Sequence, residues 1–361
     1  MLRTGLVGLP TVGKTTIFNL LTNEHRQTSG FQSGKAESQV GIARIPDRRV
    51  DFLSDLHRPR KTTYAQIEFT EVPGLYPGSS QHASTTAFLA GIRDVDALVQ
   101  VLRAFANPSV PHPTTTVDPV RDLETVNLEL LLADLGVLEN RIVRIQGGKR
   151  QKEQEEELAV LERCRAGLEE GLPIHRLPLS AEEGRWLKNY AFLTEKPMLL
   201  VVNVDEDELR RGDYPGRSDL ELTAGEKGFP LLTICGQVEM EIIQLPPEDR
   251  GVFMADLGLS ESGIERLASA TYAYLGLLSF LTAGEDEVKA WTIRRGTTAK
   301  EAAGKIHSDI ARGFIRAETI AFEDLKRAGS VARARDLGLL RLEGKDYLVQ
   351  DGDIINFRFN V

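Results

Sequence analysis

A chain of 361 residues is too long for one ordinary hydrophobic core, and 41% hydrophobic with 27% charged residues is the balance of a soluble globular protein of two or three domains. A net charge of −9 argues against indiscriminate nucleic-acid binding while leaving room for a local basic surface, and no apolar run approaches the roughly 18 residues that span a bilayer. The N-terminus enters a strand pattern at once, without a basic-then-apolar leader, and Cys164 and Cys235 make no disulfide framework, so a cytoplasmic protein without membrane association is expected.

Leu2 to Val7 read as a buried strand and Thr16 to Leu21 as the first turns of a helix. The turn between them carries Gly8, Gly13, Lys14 and Thr15 in the spacing G-x-x-x-x-G-K-[ST]. Such a turn aims successive backbone N–H groups and a helix N-terminus at a phosphate chain, while Lys14 brings a cation to the β and γ oxygens and Thr15 a hydroxyl to Mg²⁺. Gly8, Pro10, Thr11, Val12, Gly13, Lys14, Thr15 and Thr16 are accordingly the expected phosphate-side residues of a nucleotide site.

Strand, turn and helix then alternate to about Pro119 through GIARIP, RRVDFLSDL, YAQIEFT, TTAFLAGIR and ALVQVL, the pattern of a parallel sheet covered by helices. In IEFTEVPGL, Glu71 stands at a strand end where a phosphate-loop enzyme holds its Mg²⁺, and Gly74 follows where an N–H meets the γ-phosphate; an ordinary strand-end Glu before a Pro-Gly turn is the other reading. Leu75 occupies the place of the water-orienting glutamine of Ras-like enzymes, which closes that route of hydrolysis.

From Asp118 to about Ala191 strands disappear. Leu128, Leu131, Leu135, Leu138, Ile142 and Ile145 recur at alternating three- and four-residue steps, a heptad seam, and after the break GGKRQK a Glu-rich second arm carries Leu158, Leu161 and Leu168. This reads as an antiparallel helical hairpin whose seam closes within one chain, favouring a monomer; a purely structural or dimerising hairpin is the alternative. PMLLVVNV and PLLTICG then resume buried strands, so the arm is an insertion. Asn203, Val204 and Glu206 fall where guanine-specific enzymes carry Asn-Lys-x-Asp, and Val204 and Glu206 remove that code, leaving Asn203 able to meet N7 or an exocyclic group of a base. Cys235 and Gly236, after the next strand, are assigned to the same nucleotide pocket. The last residues, EVKAWTI, TAKEAAGKIH, GFIRAETI and short strands at 347–349 and 354–359, describe a small α+β module.

These stretches together resemble the YchF/Obg-like ATPase family of translation-factor-type phosphate-loop NTPases along the whole chain. GLVGLPTVGKTTIFNLLT, GIARIPDRRVDFL, EFTEVPGLYPGSS, VDPVRDLETVNLELLLADL and NVDE carry the resemblance, with TAGEDEVKAWTIRRGTTAKEAAGKIHSDIARGFIRAETIAFEDL and DGDIINFRFN similar to the family's TGS domain. The expected fold class is therefore α/β: a P-loop NTPase domain over 1–118 and 196–278, an inserted helical coiled-coil domain over 119–195, and a β-grasp TGS domain over 279–361. The resemblance implies ATP preferred over GTP, slow hydrolysis without a catalytic glutamine, and association with the ribosome or ribosomal RNA. It also implies a histidine acting on water, matched by His112 in NPSVPHPTTT, whose other reading is a solvent-facing loop residue. Phe105 matches a position near the adenine, or is a structural aromatic at a strand end.

The chain departs from that family around the metal. Lys35 stands where the first switch usually carries a threonine, with Glu37 and Gly41 kept; Thr11 replaces Asn and Glu71 replaces Asp. The tip GGKRQK, Arg294 and Arg295, and the KR and RAR clusters between 326 and 335 are either contacts for RNA phosphates or solvated helix charges; residues 279–361 hold 14 Lys and Arg against 13 Asp and Glu. The expected function is Mg²⁺-dependent binding and slow hydrolysis of ATP, or GTP, to the diphosphate. A nucleotide-gated binding protein with negligible turnover and a GTP-specific GTPase are the alternatives.

Overall fold

The computed structural model describes residues 2–23, 38–76, 83–148 and 152–360. Lys35, Glu37, the end of EFTEVPGLYPGSS and residues 149–151 of the arm's tip lie outside them. The elements begin with β1 (Arg3–Val7), α1 (Lys14–Thr22), β2 (Gln39–Arg44), α2 (Arg48–His57), β3 (Lys61–Thr63), β4 (Gln66–Glu71), α3 (Ala83–Arg93) and β5 (Ala97–Arg103). The arm follows as α4 (Pro119–Gln146), α5 (Lys152–Glu169) and α6 (Ala181–Leu187). Then come β6 (Met198–Asn203), α7 (Glu206–Arg211), α8 (Arg217–Lys227), β7 (Leu231–Ile234), α9 (Gly236–Gln244), α10 (Pro247–Asp256) and α11 (Gly263–Tyr274). The C-terminal part runs β8 (Leu277–Ala283), β9 (Glu287–Arg294), α12 (Ala299–Ile306), α13 (Ser308–Arg312), β10 (Phe314–Ala321), α14 (Phe322–Ala328), α15 (Val331–Asp336), β11 (Arg341–Glu343) and β12 (Asp353–Phe359).

The chain divides into two compact units, Met1–Ile42 with Glu68–Arg266, and Ala43–Ile67 with Leu267–Val361. The first is built on a six-stranded sheet in the order β2-β4-β1-β5-β6-β7, and from β4 to β7 every neighbouring pair is parallel. Every residue of β5 and of β6 is buried, including Gln100 and Arg103, because the middle strands of a parallel sheet are covered on both faces. The carboxyl ends of β1, β4, β5, β6 and β7 lie along one edge of this sheet, the edge at which α/β proteins hold ligands.

The helical arm belongs to this first unit. Asp118 caps α4, its side chain accepting from the Arg121 N–H at 3.0 Å, and Pro119 occupies the first turn, where its missing N–H costs nothing. Leu138, Ile142 and Ile145 of α4 pack with Leu158, Leu161 and Cys164 of α5. Leu128 is 55% exposed, so the heptad seam begins closer to the tip than its spacing suggests, where α5 and α6 cover it. Asp134 fastens α4 to the approach to β6: its buried carboxylate accepts from the N–H of Leu193 (2.9 Å) and from the N–H and hydroxyl of Thr194 (2.8 Å each).

The second unit carries a mixed sheet in the order β11-β10-β12-β8-β9-β3. β8–β9, β10–β12 and β10–β11 are antiparallel, β12 joins β8 in parallel, and α12 supplies the close-packing residues Ala299, Ala302 and Ala303 to a core with Phe280 and Phe357. Segment 43–67, which the expected boundaries give to the nucleotide domain, falls in this unit. The reason lies in β3, which pairs with Glu287, Val288 and Lys289 of β9, and in the Thr63 hydroxyl, which donates to the Glu287 carboxylate at 2.7 Å. All of β8 also belongs here, ahead of the boundary expected at 278. The strand expected at 347–349 is instead irregular chain with one bridge, Leu348 to Thr298, while β11 arises from a three-residue stretch with no alternation to read. Cys164 and Cys235 are buried free thiols, and no helix among the described residues is long and apolar enough to cross a membrane.

Candidate nucleotide site

The turn between β1 and α1 is shaped by three residues in left-handed backbone: Gly8 (φ 143°), Thr11 (φ 62°) and Gly13 (φ 100°). At Gly8 a Cβ would stand 2.5 Å from the Val101 carbonyl, and at Gly13 2.3 Å from the Asn203 amide nitrogen, so both positions exclude a side chain twice over. Thr11 is a β-branched residue in that region, an arrangement that costs about 1 kcal/mol and persists where neighbours impose it. Here the neighbours are Pro111, whose carbonyl accepts from the Thr11 hydroxyl at 3.2 Å, and Arg103, whose Nη1 donates to the Thr11 carbonyl at 3.4 Å.

Lys14 opens α1, and its ammonium is buried. Nζ donates to the carbonyls of Leu9 (2.8 Å) and Gly8 (3.3 Å), and burial pulls its pKa down to about 8 against the opposing pull of the Glu71 carboxylate. Thr15 follows, its hydroxyl donating to Glu71 Oε1 at 2.5 Å. The end of β4 thus reaches the start of α1, and a hydroxyl with a carboxylate is a hard-oxygen pair suited to Mg²⁺. No group of three His, Cys, Asp or Glu fit to hold a metal occurs among the described residues.

Past Glu71 the chain folds back on the loop. The Leu75 N–H donates to the Gly8 carbonyl at 3.1 Å, and a Cβ on Gly74 would come within 2.9 Å of the Pro10 nitrogen. Leu75 itself is fully buried, as an apolar residue at the glutamine position should be.

After β6, Asn203 bonds the protein on both sides of its amide: Nδ2 donates to the Val12 carbonyl at 3.0 Å, and Oδ1 accepts from the Gly236 N–H at 3.0 Å. It braces the loop against the start of α9 and is buried there, these two bonds using one of its two Nδ2 hydrogens and one of its two Oδ1 lone pairs. Gly236 must be small for the same reason, since a Cβ would meet Thr16 Cγ2 at 3.3 Å and Asn203 Oδ1 at 3.4 Å. Cys235 precedes α9 as a buried residue, its thiol pushed up by burial. Val204 is buried, and Glu206 opens α7 with its carboxylate 2.9 Å from Arg210. Asp205 is held in a capping box with Glu208, accepting from the Glu208 N–H at 2.8 Å.

His112 is not a solvent-facing loop residue. Its side chain is 2% exposed, with Nε2 2.9 Å from Oδ2 of Asp122 (1% exposed) and Nδ1 2.9 Å from the Thr114 hydroxyl. Burial holds its pKa below the ordinary histidine value against the opposing pull of Asp122, so the ring is neutral at neutral pH. Phe105 lies between this loop and β5, with the Arg103 guanidinium 4.4 Å from its ring centre.

Arg103 was not among the expected site residues. Fully buried at the end of β5, it donates to the carbonyls of Phe105 (3.0 Å), Asn107 (3.4 Å) and Thr11 (3.4 Å), tying the His112 loop to the phosphate loop. A charge closing the apolar run ALVQVLR is the signal that would have found it. Asp122 and Arg121 stand within the quoted run VDPVRDLETV, but nothing local marks them as partners of His112. An apolar cavity of about 460 Å³ between α4 and the start of β6 touches this constellation only at Arg121.

Two family models match the chain: one described as "50S ribosome-binding GTPase" over residues 3–138, and the YchF GTPase C-terminal model, described as a protein of unknown function, over 277–360. The chain is 42% identical to the ribosome-binding ATPase YchF of Bacillus subtilis (strain 168), covering 100% of both chains. It is 41% identical to the protein of that name from Escherichia coli O157:H7, covering 99% of each. Its fold matches the solved structure of the Schizosaccharomyces pombe YchF GTPase with a TM-score of 0.85 at 29% identity, over 99% of this chain and 97% of that one. A phosphate loop closed by Lys14, Thr15 and Glu71, on a chain alike over its whole length, leads to one assignment: this chain belongs to the YchF family.

Proposed function

We propose that the protein binds a nucleoside triphosphate with Mg²⁺ at the β1–α1 turn, hydrolyses it slowly to the diphosphate and phosphate, and associates with the ribosome in the cytoplasm. ATP is bound at least as tightly as GTP. The observation that carries the base preference is the disposition of the segment after β6. Guanine recognition needs a carboxylate free to accept from N1–H and N2–H₂. Asp205 is engaged in its capping box, Glu206 is turned to Arg210, and Val204 offers no cation. A site without that acceptor loses the penalty by which guanine pockets reject adenine.

Within this reading Lys14 and the loop N–H groups neutralise the phosphates, and Thr15 with Glu71 holds the metal, which supplies charge stabilisation at the transferring phosphoryl group. His112 takes the role left by the absent glutamine and accepts a proton from, or orients, the attacking water. Ribosome association follows from the names carried by full-length relatives, with the exposed Arg294, Arg295, Lys326, Arg327, Arg333 and Arg335 as candidate phosphate contacts.

Competition settles the base. Labelled ATP on the protein is titrated with unlabelled ATP and GTP, and equal or better displacement by ATP is expected. Displacement by GTP at far lower concentration would make this a GTP-binding protein, the reading favoured by the name of the 29% identical yeast structure. Phosphate release over a single turnover separates slow hydrolysis from a nucleotide-gated binder.

A further inference from the structure

The surroundings of His112 fix which of its nitrogens can act as a base. The backbone N–H of Thr114 points at Nδ1 at 3.3 Å, and an amide N–H can only donate, so Nδ1 carries the lone pair and the ring proton resides on Nε2. Nε2 stands 2.9 Å from Asp122 Oδ2, an ion contact without hydrogen-bond alignment, and neither atom is hydrogen-bonded to any other group. Asp122 is itself clamped. Its Oδ1 accepts from Arg121 Nε (3.1 Å) and Nη2 (2.9 Å), while Arg121 is tied to the Thr116 hydroxyl (2.8 Å) and carbonyl (2.7 Å). The Asp122 carbonyl accepts from Gln100 in β5 at 3.2 Å.

We infer that Asp122 is the positioning residue of the hydrolytic reaction: from the first turn of α4 it holds His112 as the Nε2–H tautomer, so that Nδ1 is the nitrogen that takes the proton of water. The inference rests on the role given to His112 above. Two carboxylate oxygens with different duties make this possible. Burial raises the Asp122 pKa and Arg121 opposes it; the carboxylate's Oδ1 is held in place by Arg121, and Oδ2 faces the ring. When Nδ1 gains a proton, the imidazolium forms beside that anion, which opposes the unfavourable fields of Arg103 and Arg121, the other charges acting on the ring. Nδ1 is covered by the Thr114 hydroxyl at 2.9 Å and accepts from the Thr114 N–H at 3.3 Å, so water reaches its lone pair only when residue 114 moves away from the ring.

Asp122→Asn keeps the shape and an acceptor oxygen while removing the charge. We expect kcat for ATP to fall by roughly tenfold or more, the lower end of what positioned general bases contribute, with KM within about twofold. Loss of the anion lowers the pKa of His112, so the acidic limb of the kcat profile moves to lower pH. His112→Ala should lose at least as much, and Asp122→Asn added to it should cost nothing further. If His112→Ala leaves kcat unchanged, the role of His112 falls and the inference with it. If His112→Ala is slow while Asp122→Asn keeps the parent rate and pH limb, the role of His112 stands and Asp122 is only a staple between loop and helix. Imidazole ¹⁵N spectra of the parent protein give a measurement independent of any variant's folding: a neutral His112 protonated on Nε2 supports the inference, and protonation on Nδ1 overturns it.

Discussion

Nucleotide binding should draw a proton from solution at mildly alkaline pH. In the folded protein the Lys14 ammonium is stripped of water and offered two carbonyls that a neutral amine satisfies as well, which brings its pKa to about 8 from 10.5. A triphosphate laid along the loop supplies anionic oxygens and returns the group to at least its ordinary value, about 10.4. Binding at pH 8 should then take up about half a proton per nucleotide, at pH 9 about 0.9, and at pH 7 about 0.1. The dissociation constant should rise about tenfold between pH 7 and pH 9, a loss of about 1.4 kcal/mol. The sign for folding is consistent: a pKa depressed in the folded state contributes stability that is present above pH 10.5 and lost as pH falls through 8, to a penalty of about 3 kcal/mol below it. Titration calorimetry of ATP with Mg²⁺, repeated at pH 7.5, 8.5 and 9 in buffers of low and high ionisation enthalpy, reads the proton directly. Heats independent of buffer at pH 9, with an unchanged affinity, would mean that Lys14 is an ammonium throughout and that the desolvation argument is wrong.

Two further perturbations test the scaffold around the site. Thr11→Asn places a residue tolerant of left-handed backbone where a β-branched one now sits, and its amide can still reach the Pro111 carbonyl; the urea midpoint should rise, by the equivalent of about 0.5–1 kcal/mol, and a fall would show that the threonine contact outweighs its strain. Asp134→Ala leaves the N–H groups of Leu193 and Thr194 and the Thr194 hydroxyl without an acceptor in a buried place, and should cost about 3 kcal/mol in denaturant unfolding. A loss under about 1 kcal/mol would mean that water enters the base of the arm.

The parts of the site that were legible in the sequence are those that local chain geometry decides. Gly8, Gly13, Lys14 and Thr15 are seven residues apart at most, and the loop they form needs only a strand before it and a helix after it. What stayed hidden depends on partners distant in sequence. Asn203 reads as a polar residue at a strand end, and nothing in that says that its amide reaches the carbonyl of Val12 and the N–H of Gly236. Arg103 and Asp122 look like surface charges until Phe105, Thr11 and His112 are brought to them. The fold divides in the same way. Long apolar strands such as β5 and β6 announce themselves, whereas β3 is Lys-Thr-Thr and β11 is Arg-Leu-Glu, strands that exist because β9 and β10 offer them an edge. Segment 43–67 joins the C-terminal unit through such an edge, which no periodicity reports.

Glu71 shows how an apparent defect of composition acquires a physical meaning once its surroundings are known. An Asp at the end of β4 would stop about 1.5 Å short, the length of one carbon–carbon bond, and leave a gap to the Thr15 hydroxyl that a water or a hydrated cation could occupy. The additional methylene closes that gap, and Oε1 lies 2.5 Å from Oγ1 in a charge-assisted hydrogen bond. The donating hydroxyl keeps its lone pairs and the carboxylate its Oε2, so a cation entering here would exchange bound water for oxygens already set at this spacing. Magnesium keeps much of its own water and bonds few protein groups, so its affinity is sensitive to that exchange in a way that a larger and more flexible ion's is not. The departure at this position therefore bears on the expected metal contact before it bears on the phosphate loop, which Glu71 meets through Thr15 and through its field on Lys14.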